Sequence, residues 1–129
     1  MNAQSMGPKI LLVDDDHDFV LDLNTWLSKE GFHTRSVELG QAAIQQYLMY
    51  RPYAAVVLDL HMPKVDGFQV LREIKKTDAN AKVIVLTADA TARDTAAELG
   101  ADAFVVKPVT REAFCTLVGN LANHAAHAA

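Results

Sequence analysis

The chain has a single cysteine, Cys115, so no disulfide can form within it. Nothing therefore requires an oxidising compartment, and the thiol reads as a small apolar side chain of the interior. Long apolar runs are missing too. The longest, Tyr53 to Leu58, is six residues, against the roughly 20 that a membrane-spanning helix needs. Met1 to Pro8 is polar and lacks the apolar core of a secretory signal. Positive charge is in deficit, with 12 Lys and Arg against 16 Asp and Glu, which leaves no general pull toward nucleic acid or an anionic membrane. These absences predict a soluble, cytoplasmic protein that binds neither directly, unless it is cut from a larger membrane-anchored chain. Internal repeats and domain linkers are also lacking. What remains is 129 residues, half of them apolar, enough for one domain to bury a core without staples.

Short β-branched runs alternate with helical patterns. Ile10 to Val13, Val56 to Leu58, Val83 to Leu86 and Phe104 to Val106 read as strands covered on both faces, the habit of parallel sheets. Phe32 to Val37 is more polar and suits a sheet edge. Phe19, Leu23 and Leu27 recur every fourth residue beside Trp26, with Gly31 as a natural helix stop. Ile44, Tyr47 and Leu48 mark a second helix that ends before Pro52, and Val70, Leu71 and Ile74 a third. An Ala-rich stretch from Thr91 to Leu99, closed by Gly100, reads as the fourth. Phe114, Leu117, Val118 and Leu121 mark the fifth, with Thr110 as its N-cap. The order is (βα)5, which right-handed crossovers turn into one parallel sheet with helices on both faces. An Ala/His tail comes last. His124 and His127, three apart, read as a frayed helix end, since two histidines alone make a poor metal site.

Ligands of such sheets bind beyond the carboxyl ends of the strands, so the residues just past each strand matter most. The first strand leads into Asp14, Asp15 and Asp16. The third ends in Asp59, with His61 and then Asp66-Gly67 beyond it. The fourth gives Thr87-Ala88-Asp89 and the fifth Lys107-Pro108. Each piece alone has a plain structural reading: aspartates before a helix cap it, the reading preferred for Asp16, and Lys107 is a natural salt-bridge partner for an acidic neighbour. The conjunction at four strand ends is far more specific.

In that conjunction the chain resembles the response-regulator receiver family of two-component signal transduction, over about residues 8–122. Residues 1–7 then form a disordered N-terminal extension and 123–129 a tail. The resemblance implies a flavodoxin-like sheet of order 2-1-3-4-5, phosphorylation at Asp59, and an acid pocket of Asp14 and Asp15. It implies hydroxyl and cationic roles for Thr87 and Lys107, and a switch aromatic three residues before the lysine, at Phe104. It also implies a cis Lys107–Pro108 peptide, a Mg2+ ligand set completed by Asp59 and the backbone carbonyl of His61, and a part for His61 and Asp89 in tuning dephosphorylation.

The residue types suit that chemistry. Three carboxylates in one crevice repel one another, and a hard divalent cation that prefers oxygen relieves them. Asp15 is the favoured direct ligand, with Asp14 direct or through water; an imidazole ligand at His61 fits Mg2+ less well. Asp59 is then a nucleophile that forms an acyl phosphate, and Lys107 with the metal supplies charge stabilisation. The resemblance further implies that Thr87 donates to a phosphoryl oxygen by moving inward and that Phe104 rotates into the vacated space; the plainer alternative leaves Phe104 as core.

Three rivals remain. A haloacid-dehalogenase-like phosphatase shares the aspartyl phosphate, and Asp16-His17-Asp18-Phe19-Val20 formally fits its signature, but the first strand already ends at Val13. A flavin or nucleotide module needs a phosphate-cradling first loop, whereas this one is triply acidic. A receiver-like scaffold that is never phosphorylated would have no use for the full set Asp14, Asp15, Asp59, Thr87 and Lys107. The expected protein is therefore a phosphoacceptor switch with slow self-catalysed transfer and dephosphorylation, not an enzyme in the ordinary sense. By resemblance its donor is a sensor histidine kinase or a phosphotransfer protein, docking near the first helix, with Phe19, Val20 and Val109 as candidate contacts, though core packing is preferred for Phe19. The fourth helix, fifth strand and fifth helix form the readout face, with Arg93, Glu98 and Arg111 among its charges and homodimerisation as one outcome. No output domain fits in the chain.

Overall fold

The computed structural model describes residues 7–62 and 65–128, the side chains of 65 and 124–128 excepted. The extension expected over residues 1–7 lies outside them, save Gly7. Five parallel strands form one sheet: β1 Lys9–Val13, β2 His33–Val37, β3 Ala55–Leu58, β4 Val83–Thr87 and β5 Ala103–Val106. Their spatial order is β2-β1-β3-β4-β5, as the resemblance implies. The helices are α1 His17–Lys29, α2 Gly40–Met49, α3 Gly67–Thr77, α4 Arg93–Glu98 and α5 Arg111–Ala128. A two-residue antiparallel ladder, His61–Met62 against Val65–Asp66, sits outside the sheet between β3 and α3.

Alternation along each strand divides the core in two. Leu11, Val13, Val56, Leu58, Val83 and Val85 face α2, α3 and α4, where Ala43, Tyr47, Val70, Leu71, Ile74 and Ala96 meet them. Ile10, Leu12, Val57, Ile84 and Leu86 face α1 and α5, against Leu23, Leu27, Phe114 and Val118. Strands β1, β3 and β4 are almost entirely buried, whereas the edge strand β2 carries exposed Arg35 and Ser36. Burial thus matches the unbroken apolar runs of the first three and the polar β2, but β5, read from its apolar run as covered on both faces, is the opposite edge strand and only half-buried.

The helix ends follow their sequence signals. Asp16 caps α1 through the Phe19 N–H, Asp66 caps α3 through the Phe68 N–H, and the Thr110 hydroxyl caps α5 through the Ala113 N–H at 3.1 Å. Gly31 (φ 92°) and Gly100 (φ 99°) end α1 and α4 in the left-handed region. After α1, Gly31 N–H donates to Ser28 O and Phe32 N–H to Leu27 O, the paired bonds of a Schellman stop. The stretch expected as one helix over Thr91 to Leu99 is instead a 3-10 turn, Ala90–Ala92, followed by the six-residue α4. Asp89 draws both the Thr91 N–H and its hydroxyl, which tightens the entry. Ala92 and Ala96 are the buried side chains of this stretch, and Leu99 packs partly buried beside them. The α5 backbone stays helical to Ala128, while the side chains of His124 and His127 lie outside the described residues. Among the described residues no helix is long and apolar enough to cross a membrane.

Candidate functional site

The carboxyl ends of β1, β3, β4 and β5 bring the expected residues into one crevice. Asp14 follows β1 and Asp59 follows β3, and the Asp59 N–H donates to Val13 O at 2.9 Å, which fastens the two strand ends together. Asp14 is 5% exposed, Asp59 8% and Thr87 0%. These three are the buried polar side chains of the described residues, and buried polar groups placed together need partners. Lys107, from the end of β5, supplies one: its ammonium donates to Asp14 Oδ2 at 2.9 Å and to Asp59 Oδ2 at 3.2 Å. The salt-bridge role expected for this lysine is thus present in the resting geometry. The Lys107–Pro108 peptide is cis, as is Arg51–Pro52, for which the sequence gives no sign.

Carboxylate oxygens of Asp14, Asp15 and Asp59 lie within 4.8 Å of one another. Asp15 is the most open of the three. Three oxygen donors at that spacing, one facing solvent, fit a hard divalent cation that keeps part of its water. Burial pushes the Asp14 carboxyl up; the Asp16 N–H and Lys107 pull it back only in part. For Lys107 burial acts downward, but the Asp14 and Asp59 carboxylates outweigh it and hold the ammonium above its ordinary value. One ammonium thus meets the carboxyl oxygens of both Asp14 and Asp59, with the Asp15 carboxyl close by.

The neighbouring residues divide between rim and support. His61 donates its N–H to Asp59 Oδ1 at 3.1 Å, while its exposed ring reaches across to Asp89, Nε2 to Oδ2 at 2.8 Å. The carboxylate can only accept, so Nε2 carries the proton in this pair. Hydrogen bonds from Thr91 and from His61 hold the half-buried Asp89 carboxyl below its usual range. The Thr87 hydroxyl accepts the Asp89 N–H at 3.3 Å. Phe104 is half-buried on β5, and the Arg93 guanidinium carbon at the start of α4 stands 4.7 Å from its ring centroid. Phe19, Val20 and Val109 are half-buried and pack on the apolar cluster beneath α1 and α5, while Arg93, Glu98 and Arg111 are exposed. Asp16 is occupied in capping α1, and Asp18 is exposed on that helix, so the formal phosphatase signature does not assemble a site.

Gly67 shows why a glycine opens α3. A Cβ there would meet the Leu60 Cα at 2.4 Å and the Leu60 carbonyl oxygen at 2.5 Å, while the Gly67 N–H donates to that oxygen at 3.1 Å. Absence of a side chain thus lets α3 close directly on the loop that carries Asp59. Gly67→Ala is expected to lower stability by about 1–3 kcal/mol, because rigid backbone must shift to admit the methyl. Chemical denaturation checks this; a loss below a few tenths would show that the loop yields freely.

Periodicity and strand-end position do not reveal the His61–Asp89 pair, the Arg93–Phe104 contact or the Gly67 approach. Only the last had a signal, the Asp66-Gly67 pair ahead of an apolar run.

Comparison with known proteins places this arrangement in context. Residues 10–119 match the family model described as the response regulator receiver domain. The chain is 36% identical over 110 residues to the transcriptional regulatory protein PrrA of Mycobacterium tuberculosis, covering 84% of this chain and 47% of that protein. It is 41% identical over 102 residues to the probable transcriptional regulator ycf27 of Guillardia theta, covering 78% and 39% respectively. The chain thus spans under half the length of these curated relatives. Among solved structures, the response regulator TrrA of Thermotoga maritima in complex with Mg(2+)-BeF superposes with a TM-score of 0.83 at 33% identity, covering 89% of this chain and 99% of that one.

Proposed function

The chain belongs to the response-regulator receiver family, and from that premise we propose that it is a phosphorelay switch that accepts a phosphoryl group on Asp59. The observation that carries this reading is the Asp59 carboxylate, held at the strand end within an acidic triad and 3.2 Å from the Lys107 ammonium. An Asp59 oxygen attacks phosphorus, the bond from phosphorus to the donor's nitrogen or oxygen breaks, and the donor leaves with that electron pair. The product is an acyl phosphate. Asp14, Asp15 and Asp59, with the His61 backbone carbonyl, are the groups that would hold Mg2+. When bound, the ion supplies positive charge to the phosphoryl oxygens. Lys107 supplies the rest from the protein and trades a carboxylate partner for a phosphoryl oxygen. Ala88, exposed beside Thr87, leaves the approach open.

Thr87 and Phe104 would carry the signal outward. The phosphoryl group brings strong acceptor oxygens; the Thr87 hydroxyl turns inward to donate to one, and Phe104 follows into the space. The α4, β5 and α5 face then changes, toward an output partner or a second copy of the chain. The donor class is a histidine kinase or a phosphotransfer protein, and the compartment cytoplasmic. The His61–Asp89 pair, tied by backbone N–H groups to Asp59 and Thr87, sets the lifetime of the phosphoryl group.

Incubation with acetyl phosphate and Mg2+, followed by intact mass spectrometry over time, tests the reading. One phosphoryl adduct is expected, lost when Mg2+ is chelated and lost in Asp59→Asn. Equal adduct on Asp59→Asn would sink the assignment. Decay of the adduct unchanged in His61→Ala and Asp89→Ala would remove the lifetime role.

A further inference from the structure

Lys107 has three partners, and two of them are the carboxylates already described. The third is Phe19. The Lys107 Nζ stands 4.4 Å from the centroid of the Phe19 ring. Phe19 is the third residue of α1 and is half-buried, packed on the apolar cluster beneath that helix.

Its position is tied to the site through the backbone. The Phe19 N–H donates to Asp16 Oδ1 at 3.2 Å, and the Asp16 N–H donates to Asp14 Oδ1 at 3.0 Å. Asp14 in turn accepts from Lys107. Asp14, Asp16, Phe19 and Lys107 therefore close a circuit of contacts around one ammonium. Lysine needs such walls, because its charge sits at the end of a flexible four-carbon stem.

The chemistry of the third wall matters. A third carboxylate would compete with the phosphoryl group for the ammonium. An aliphatic side chain would pack against the stem and exert no pull on the charge. An aromatic face attracts the cation without acting as a hydrogen-bond acceptor for a particular N–H. It can hold the ammonium in place while its hydrogen bonds pass from Asp59 to a phosphoryl oxygen.

We infer that Phe19 is a positioning residue for phosphoryl transfer, its ring face keeping the Lys107 ammonium over Asp59. The inference rests on the proposed phosphoryl role of Lys107. Phe19→Leu keeps an apolar side chain at the position and removes the ring; Phe19→Tyr keeps the ring.

The rate of phosphorylation by acetyl phosphate at saturating Mg2+ is expected to fall about two- to fivefold in Phe19→Leu, the span of an exposed to half-buried cation–aromatic contact. It should return in Phe19→Tyr, with thermal midpoints that do not track the rates. A purely structural role predicts the reverse, tolerance of Leu and rates that follow stability, and would overturn the inference. Proton NMR of the unphosphorylated protein separates this from failure of the phosphoacceptor reading. Ring current should move the Lys107 ε-methylene signals upfield in the wild type and in Phe19→Tyr, and release them in Phe19→Leu. Unshifted signals in the wild type would overturn the contact whether or not Asp59 takes a phosphoryl group.

Discussion

Lys107→Met is expected to slow phosphorylation by acetyl phosphate about 100- to 1000-fold, the usual cost of removing one preorganised donor aimed at developing negative charge. Methionine keeps the length of the stem, so the lost quantity is chiefly the charged ammonium that meets Asp14, Asp59 and the Phe19 ring. The resting protein should change as well. Asp14 and Asp59 now share Lys107 at 2.9 and 3.2 Å. Without it, two buried carboxylates lie close together with no cation between them, and their repulsion is unrelieved. Mg2+ should then raise the thermal midpoint of the variant more than that of the wild type, since the ion restores the missing positive charge. Time-resolved mass spectrometry and melts with and without Mg2+ read the two effects. A rate within severalfold of wild type would show that Lys107 is a structural salt bridge and nothing more.

Thr87→Ala should separate acceptance from switching. The variant is expected to take up the phosphoryl group and yet shift poorly to the active form. The bond that Thr87 is proposed to make is to an anionic acceptor, and such bonds contribute about 1.5–3 kcal/mol. Its loss lowers the ratio of active to resting forms about 10- to 150-fold. For comparison, moving a two-state balance from 1:99 to 99:1 takes about 5.5 kcal/mol, so one hydroxyl can supply a quarter to a half of the drive. Thr87→Ser, which keeps the hydroxyl, serves as the control for the buried position. Amide shifts across α4 and β5, recorded before and after phosphorylation, report the change. Wild-type-sized shifts in Thr87→Ala would mean that the signal leaves the site by another route.

The sheet was legible because physics wrote it plainly. Ile10 to Val13 and Val83 to Leu86 are apolar throughout because helices cover both faces of β1 and β4. The polar reading of Phe32 to Val37 matches an edge with one neighbour. The site residues were legible for a related reason: each stands at or just past the carboxyl end of a strand, where a polar side chain has no packing role to fill. Asp14, Asp59, Thr87 and Lys107 converge because their strands are neighbours in the sheet.

Contacts made by residues of ordinary type stayed hidden. Phe19 satisfies the helix pattern of α1 as core, and periodicity cannot say that its ring also faces an ammonium from β5. Exposed His61 and half-buried Asp89 stand 28 positions apart, joined only because β3 and β4 are adjacent. The short α4 was overread because alanine favours helix at any length, while the Asp89 bonds to Thr91 that tighten its entry leave no mark in hydropathy.

The central claim is that the carboxylate of Asp59 carries the phosphoryl group, and borohydride reduction tests it most directly. Reduction of the phosphorylated protein converts an acyl-phosphate aspartate to homoserine, and peptide mass spectrometry then locates the altered residue. The account predicts homoserine at position 59, dependent on both the phosphodonor and Mg2+. Homoserine at position 14 or 15, or a phosphoryl adduct that borohydride leaves untouched, would contradict it.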